Sequence, residues 1–323
     1  MKLQQLRHLL AVTDAGSLRG AARALGVAQP AITRSIRDLE RELGATLFER
    51  KARGVVPTGM GEVFVRRARA VESELDRARD ELAQLQGRAH GRVSVALSLV
   101  AHLALLPRVL RAFRERYPEV RLEVTEGLYS GIGPRLADGA IDCYIGPPPN
   151  PPQDGLLVEK LFDNTRVIVG RKGHPLAGAK SLRELAGADW LVTTVTQRTE
   201  DELLPLFEQK GLPPPRITMQ SRSSMTALVS IAYTDVLAML PVQWVESALL
   251  ADAVQVIPVK EVIQAPPICI VQRSGLPLTP AAEHFCDLIR RAAVQWAGTR
   301  AARKTGEAGQ GGRRKAGGGR GTG

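Results

Sequence analysis

Cysteine is scarce in this 323-residue sequence: Cys143, Cys269 and Cys286 are the only three, far apart, odd in number and without a CxxC pair. A disulfide framework is thereby excluded, and a zinc site built on paired thiolates is not expected. No apolar run approaches the roughly 20 residues that a membrane span needs. Met1-Lys2-Leu3-Gln4-Gln5-Leu6-Arg7 lacks the uninterrupted apolar core of a secretion signal, so a cytoplasmic protein without membrane contact is expected. The signatures of catalysis are missing too. There is no HExxH, GxSxG or P-loop, and the five histidines are scattered. Gly127-Leu128-Tyr129-Ser130-Gly131-Ile132-Gly133 is glycine-rich but lacks the spacing of a dinucleotide fingerprint, and reads as a turn after a strand. Neither an enzyme nor a cofactor is expected.

What the sequence does have is charge of one sign, unevenly placed. The formal net charge is +11. Residues 1–58 hold ten Lys/Arg against five Asp/Glu, and residues 299–323 hold seven against one, which leaves the long middle neutral. A basic head points to phosphate contact. The tail, with Gly309-Gln310-Gly311-Gly312-Arg313-Arg314-Lys315, cannot build a core and reads as a disordered extension over 299–323.

Within the head, Leu3, Leu6, Leu9 and Leu10 recur at helical spacing to about Ala15, and Gly16 ends the helix. Ser17 is placed to cap a second helix with Leu18, Ala21, Ala22 and Leu25 on one face, stopped at Gly26. A third helix starts near Gln29 with Pro30 in its first turn, and its stripe is Ile32, Ile36, Leu39 and Leu43. Two short helices joined by a tight glycine turn form a helix-turn-helix. With that stripe inward, Gln29, Thr33, Arg34 and Arg37 face out. Gln can read adenine and Arg guanine, each bidentately, from the N-terminal end of a recognition helix. A merely solvated helix would show the same pattern, so the flanking segments have to decide.

They favour nucleic acid. Thr46-Leu47-Phe48-Glu49-Arg50 leads into Lys51-Ala52-Arg53-Gly54-Val55-Val56-Pro57-Thr58, a basic hairpin that could serve as a wing with Arg50, Lys51 and Arg53 on phosphates or in a minor groove. From about Gly59 to Gln86, Phe64, Ala68, Val71, Leu75, Ala78, Leu82 and Leu85 alternate at spacings of four and three. That heptad seam predicts a coiled-coil dimerisation helix.

The neutral middle alternates strands with helices. Gly91–Leu97, Val120–Val124, Ile141–Ile145, Val167–Val169 and Trp190–Val192 read as strands, and helical stretches run through Leu110 and Phe113 and over Leu203–Lys210. Strand ends and helix starts suit anions, because free amides collect there. Ser98, with Val100 just beyond it, and Thr196, Arg198 and Thr199 before the helix near Glu200 are therefore the candidate ligand contacts. Each hydroxyl could equally be a helix cap. His102 reads as structural, and Ser223-Ser224-Met225 as a further helix start.

Residues Leu6-Arg7-His8-Leu9-Leu10-Ala11-Val12, Gly16-Ser17-Leu18, Ala21-Ala22-Arg23-Ala24-Leu25, Gln29-Pro30-Ala31-Ile32-Thr33-Arg34-Ser35-Ile36, Leu39-Glu40, Leu43-Gly44, Leu47-Phe48-Glu49-Arg50 and Pro57-Thr58 together resemble the N-terminal motif of the LysR-type transcriptional regulators. The resemblance extends more weakly over 91–298. It implies a winged helix-turn-helix (1–58), a linker and dimerisation helix (59–89) and a ligand-sensing α/β effector domain (91–298) like a periplasmic binding protein. That domain would have two subdomains, 91–163 with 266–298 and 164–265, with a ligand in the cleft between them. It further implies that Gln29, Pro30, Thr33 and Arg34, with Arg53 in the wing, lie at double-stranded operator DNA; Ser17, Arg37 and Arg50 complete the candidate set. The partners implied are a small-molecule co-inducer, a second copy in a homodimer and then a homotetramer, with RNA polymerase a further candidate. Tyr233-Thr234-Asp235-Val236 is similar to a subset of the family with Thr-Asp in place of Gly-x-Gly, often answering to aromatic or sugar-derived acids. Ala28 departs from the family, many of whose members carry a capping Ser there. The competing reading is a solute-binding sensor with only nonspecific DNA affinity, and the basic head argues against it.

Overall fold

The computed structural model describes the chain except residues 53, 88–89, 194–199, 249, 251 and 314–323, with the backbone alone described for 200–202 and 301–313. The described residues fall into two compact units, Met1–Gly91 with Pro134–Asp142, and Arg92–Gly133 with the chain from Cys143 onward.

In the first unit α1 (Leu3–Ala15), α2 (Leu18–Leu25) and α3 (Gln29–Leu43) precede a hairpin of β1 (Phe48–Lys51) and β2 (Gly54–Pro57), and α4 (Gly59–Leu85) follows. The boundaries obey the local chemistry read from the sequence. Gly16, Gly26 and Gly44 each end a helix at φ between 62° and 65°, a left-handed conformation that glycine adopts without a Cβ penalty. The Ser17 hydroxyl accepts a hydrogen bond from the Gly20 amide at 3.0 Å and so caps α2. Ala28 offers α3 no side-chain cap, and a proline in the first turn removes one of the amides that would need a partner. Leu6, Leu9, Leu10, Val12, Ala21, Ala22, Ile32, Ile36 and Leu39 close one core with Leu47, Val65 and Ala68.

Two stripe residues depart from expectation. Leu25 and Leu43 are 40% and 38% exposed, each being the last residue of its helix, where the chain turns away from the core at the following glycine. Along α4 the seam divides. Ala68 is buried and Phe64 half-buried against the head, whereas Val71, Leu75, Leu82 and Leu85 are 37–70% exposed in the single chain. Further along, Arg77 is 8% exposed, and its guanidinium donates to Asp142 Oδ1 at 2.8 Å, to the Gly139 carbonyl at 2.7 Å and to the Ile141 carbonyl at 3.3 Å.

The second unit is built on one nine-stranded sheet. Its elements in chain order are β3 (Arg92–Leu97), α5 (Leu99–Ala104), α6 (Leu106–Arg116), β4 (Arg121–Glu126), the start of α7 (Tyr129–Ala137, whose residues from Pro134 on belong to the first unit), β5 (Cys143–Gly146) and the long β6 (Leu156–Arg171). There follow β7 (Asp189–Thr193), α8 (Glu200–Glu208), β8 (Arg216–Ser221), α9 (Ser224–Tyr233), β9 (Val236–Pro241), α10 (Gln243–Glu246), β10 (Val254–Ile257), β11 (Ile263–Arg273) and α11 (Pro280–Arg313). The strand order is β4-β3-β5-β11-β6-β9-β7-β8, with β10 also on β6. β3 runs parallel to β4 and β5, and β7 runs parallel to β8 and β9. Between these parallel sets β6 and β11 pair antiparallel, with an irregularity between Ala265 and Cys269. The first half of β6 serves one set, while Arg166–Arg171 pairs with β9 and β10 of the other. The result is two α/β subdomains joined by two continuous strands.

Two sequence readings are corrected here. Gly127–Gly133 is not simply a turn, since α7 begins at Tyr129 and runs through Pro134; burial of Ile132 at 5% exposure outweighs the poor helix propensity of that run. Helix α11 continues to Arg313, into the segment read as a disordered tail. Ala301, Ala302, Arg303 and Lys304 are strong helix formers and prolong the helix.

Candidate nucleic-acid interface and ligand cleft

Helix α3 sorts its residues by face. Ile32, Ile36 and Leu39 are at most 5% exposed, while Gln29, Pro30, Arg34 and Arg37 are exposed and Thr33 is half-buried. The Thr33 hydroxyl donates to the backbone carbonyl of Gln29 at 3.1 Å, which holds the Thr33 side chain against the preceding turn. Arg34 and Arg37 make no ion pair among the described residues. Arg41, one turn on, spends its charge on Asp38 at 3.1 Å. The exposed end of α3 thus carries an amide and two guanidinium groups, the donors that fit base edges and phosphates.

The hairpin is fixed to this frame by two devices. Glu40 on α3 accepts hydrogen bonds from the Leu47 and Phe48 amides at 2.8 and 3.2 Å. The Val55 amide donates to the Gly16 carbonyl at 2.8 Å, pinning β2 beside the start of α2. A Cβ at Gly54 would lie 2.3 Å from that carbonyl oxygen, so the approach demands glycine. Arg50 stands exposed on β1, and Lys51 pairs with Glu49 at 3.0 Å. Arg53 lies outside the described residues. Ser17 uses its hydroxyl as the α2 cap. Sequence reasoning gave Glu40 no role, because it is one of three acids on α3, with Asp38 and Glu42, and nothing local marks it as the one that turns toward the hairpin.

In the second unit a cavity of about 160 Å3 opens beside the two joining strands. Ser98 and Val100 line it, along with Glu126, Asn164, Arg166, Ser224 and Trp244. Leu191, Leu203, Met239, Leu240 and Pro241 make most of its wall apolar. Ser98 is held from both sides: its amide donates to the Ile145 carbonyl at 2.8 Å, and its hydroxyl accepts from the Ala101 amide at 3.4 Å. His102 lies 3.1 Å from the Ser98 carbonyl through Nδ1, which fits its structural reading. Asn164 is buried and its Oδ1 accepts from the Thr165 amide and from Gln243 Nε2 at 2.9 and 3.0 Å. The Ser224 hydroxyl donates to Glu126, linking α9 to the end of β4. Trp244 is 2% exposed and its indole N–H has no partner among the described residues. Thr196, Arg198 and Thr199 lie outside the described residues. Arg166, Asn164 and Trp244 escaped sequence reasoning, because alternation along β6 signals a face but not which cavity that face borders.

Two family models match the chain, one over its head and one over the long remainder. Residues 3–62 match the model of the bacterial regulatory helix-turn-helix protein, lysR family, and residues 86–294 match that of the LysR substrate binding domain. The chain belongs to the LysR family of transcriptional regulators. A relative from Pseudomonas sp. (strain ATCC 19151), the SDS degradation transcriptional activation protein, is 30% identical over 295 residues, covering 89% of this chain and 95% of the relative. The regulator GbpR of Azospirillum brasilense is 26% identical over 296 residues, 90% of this chain and 86% of that protein. Among solved structures, CbnR, a LysR family transcriptional regulator, superposes with a TM-score of 0.64 over 91% of this chain and 99% of its own, at 24% identity. Full-length CbnR complexed with its target DNA superposes equally well, with a TM-score of 0.64. This LysR-type regulator therefore carries a DNA-binding helix-turn-helix and an α/β effector-binding domain, and its relatives are regulators rather than enzymes. Among the described residues no helix is long and apolar enough to cross a membrane.

Proposed function

We propose that this regulator reads operator DNA with Gln29, Thr33, Arg34 and Arg37 of α3 in the major groove, and that Ser17, Pro30, Arg50 and Arg53 set the register on the backbone. The observation that carries this reading is the division of α3 into a buried face and an exposed face bearing two arginines without ion pairs among the described residues. Two such heads are needed to span a two-fold site, about one helical turn of DNA apart. The exposed Val71, Leu75, Leu82 and Leu85 of α4 supply the seam for a homodimer, and further pairing gives a homotetramer. The regulator works in the cytoplasm, where its operator is.

The effector is a small organic acid seated in the cleft. Ser98 and the amide of Val100 receive its charged group together with Arg166, and the apolar walls receive its body. Thr196, Arg198 and Thr199, which precede α8 in the sequence, are the further candidate contacts. The relative named for SDS degradation fits a preference for an anion with an apolar body. Ligand binding changes DNA engagement only to the extent that the acid prefers one arrangement of the dimer over another.

The test uses the intergenic DNA upstream of the regulator's own gene and a panel of organic acids. At least one acid should shift the DNA affinity or footprint, and Ser98→Ala or Arg166→Ala should remove that response while leaving DNA binding intact. No response to any acid, or a response that survives both substitutions, contradicts the acid assignment. Sequence preference that survives Gln29→Ala and Arg34→Ala contradicts the DNA assignment.

A further inference from the structure

The cleft does not end where its polar residues end. A groove of about 310 Å3 lies next to it, lined by Pro205, Leu206 and Gln209 of α8 and by Val262, Ile263 and Gln264 of the β11 approach. Arg166, Met239 and Pro266 border both cavities. The ladder explains the continuity. Ile263 and Pro241 flank Arg166 in register, and Met239 sits opposite Ile168. Side chains two apart on a strand share a face, so Asn164, Arg166 and Ile168 on β6 point the same way as Met239 and Pro241 on β9. Helix α8 covers that face: Leu203 and Phe207 join Ile168, Leu237 and Ile263 in one core, with Leu206 and Met239 packed against it. Cleft and groove are therefore two reaches of one trough under α8, meeting where Arg166 and Met239 stand. The outer reach carries no charged side chain among its described lining residues apart from Arg166 at the junction, whose own stem is apolar. At its open end Val262 is 76% exposed, an apolar residue without cover in the single chain.

From this continuity we infer that the effector is an elongated amphiphile, a carboxylate or similar acid whose unbranched apolar tail leaves the cleft past Met239 and lies in the groove beneath α8. The inference rests on the cleft being the effector site and adds to it a second chamber and a ligand class. A short acid would fill only the inner reach. A longer one would also cover Leu206, Ile263 and Val262, and the gain grows with each methylene removed from water, up to about fourfold in affinity per fully buried group.

The experiment titrates the full-length regulator with straight-chain carboxylates of four, six, eight and ten carbons, below their micellar concentrations, by isothermal calorimetry. Wild type is compared with Leu206→Glu and with Val262→Glu, the latter at an exposed position where folding is not at stake. Wild type should bind one acid per chain with affinity climbing from four to ten carbons. Both variants should keep the four-carbon affinity and lose the climb, so that the ten-carbon acid weakens tenfold or more. A flat series in wild type overturns the second chamber and leaves the acid-binding cleft standing. A climb that persists in both variants places the tail elsewhere and overturns the proposal. Failure of every acid to bind overturns it together with the acid assignment. If Val262→Glu instead lowers the mass in sedimentation while the chain-length series is unchanged, the groove belongs to a contact between copies and the proposal falls.

Discussion

Arg77 and Asp142 offer the sharpest quantitative test of the first unit. Their side chains are 10% and 9% exposed and meet at 2.8 Å, and the same guanidinium also serves the Gly139 and Ile141 carbonyls. Glu74, at 3.3 Å and more exposed, adds a weaker contact. Two ions so placed attract by about 4 kcal/mol or more at an effective dielectric of 20, but the cost of desolvating both cancels much of that gain. Removing one partner is different, because the survivor keeps its desolvation cost and loses its compensation; about 3–5 kcal/mol is expected. Arg77→Met and Asp142→Ala should each destabilise the first unit by that amount. The double variant should be no worse than the more damaging single one, giving a coupling energy of about 3 kcal/mol. Urea unfolding followed by circular dichroism, with midpoint and slope both recorded, measures all four corners. Single losses below about 1 kcal/mol, or a double variant equal to the sum of the singles, would show that the pair is not coupled and refute the reasoning.

Four further outcomes follow from named residues. Leu82→Asp on the exposed seam of α4 should weaken the dimer at least a hundredfold, since each of two chains forfeits about 1.5–3 kcal/mol of leucine burial, and sedimentation equilibrium would register monomer. Gly61→Ala should cost about 1–3 kcal/mol, because its Cβ would lie 2.0 Å from the Leu47 carbonyl oxygen; the melting temperature reads this out. Ala28→Ser should gain about 1 kcal/mol by restoring the missing cap of α3, again seen in the melt. Burial holds the His8 imidazole below its usual pKa of 6.5, so the unfolded chain binds the proton more readily. Stability is then full above pH 6.5 and falls as pH drops from there through the lower folded value; the urea midpoint should decline between pH 7 and 5, and His8→Gln should flatten that decline.

How far the sequence spoke depended on the range of the interactions involved. The head was legible almost to the residue, because glycine stops, the Ser17 cap and the Ile32–Ile36–Leu39 stripe all act within one or two turns of helix. Five of the strands announced themselves as short apolar runs. The course of β11 did not, since Ala265-Pro266-Pro267 interrupts it and only pairing with β6 carries the chain through. Helix α7 was hidden for the same reason in reverse: glycines and Pro134 argue locally for a turn, and burial of Ile132 decides otherwise. Half of the cleft was visible through Ser98 and Val100, which sit at a strand end. Arg166, Asn164 and Trp244 reach it only through the register of β6 and the placement of α10, which no local pattern encodes.

The central claim is that α3 reads base sequence rather than charge alone. Fluorescence anisotropy with a duplex from upstream of the gene and with a scrambled duplex, across a salt series, tests it for wild type and Arg34→Ala. The account predicts tight wild-type binding to the upstream duplex at moderate salt, weakened about 10- to 100-fold by Arg34→Ala. The scrambled duplex should change far less. Equal affinity for the two duplexes in wild type, or a preference untouched by the substitution, would contradict it.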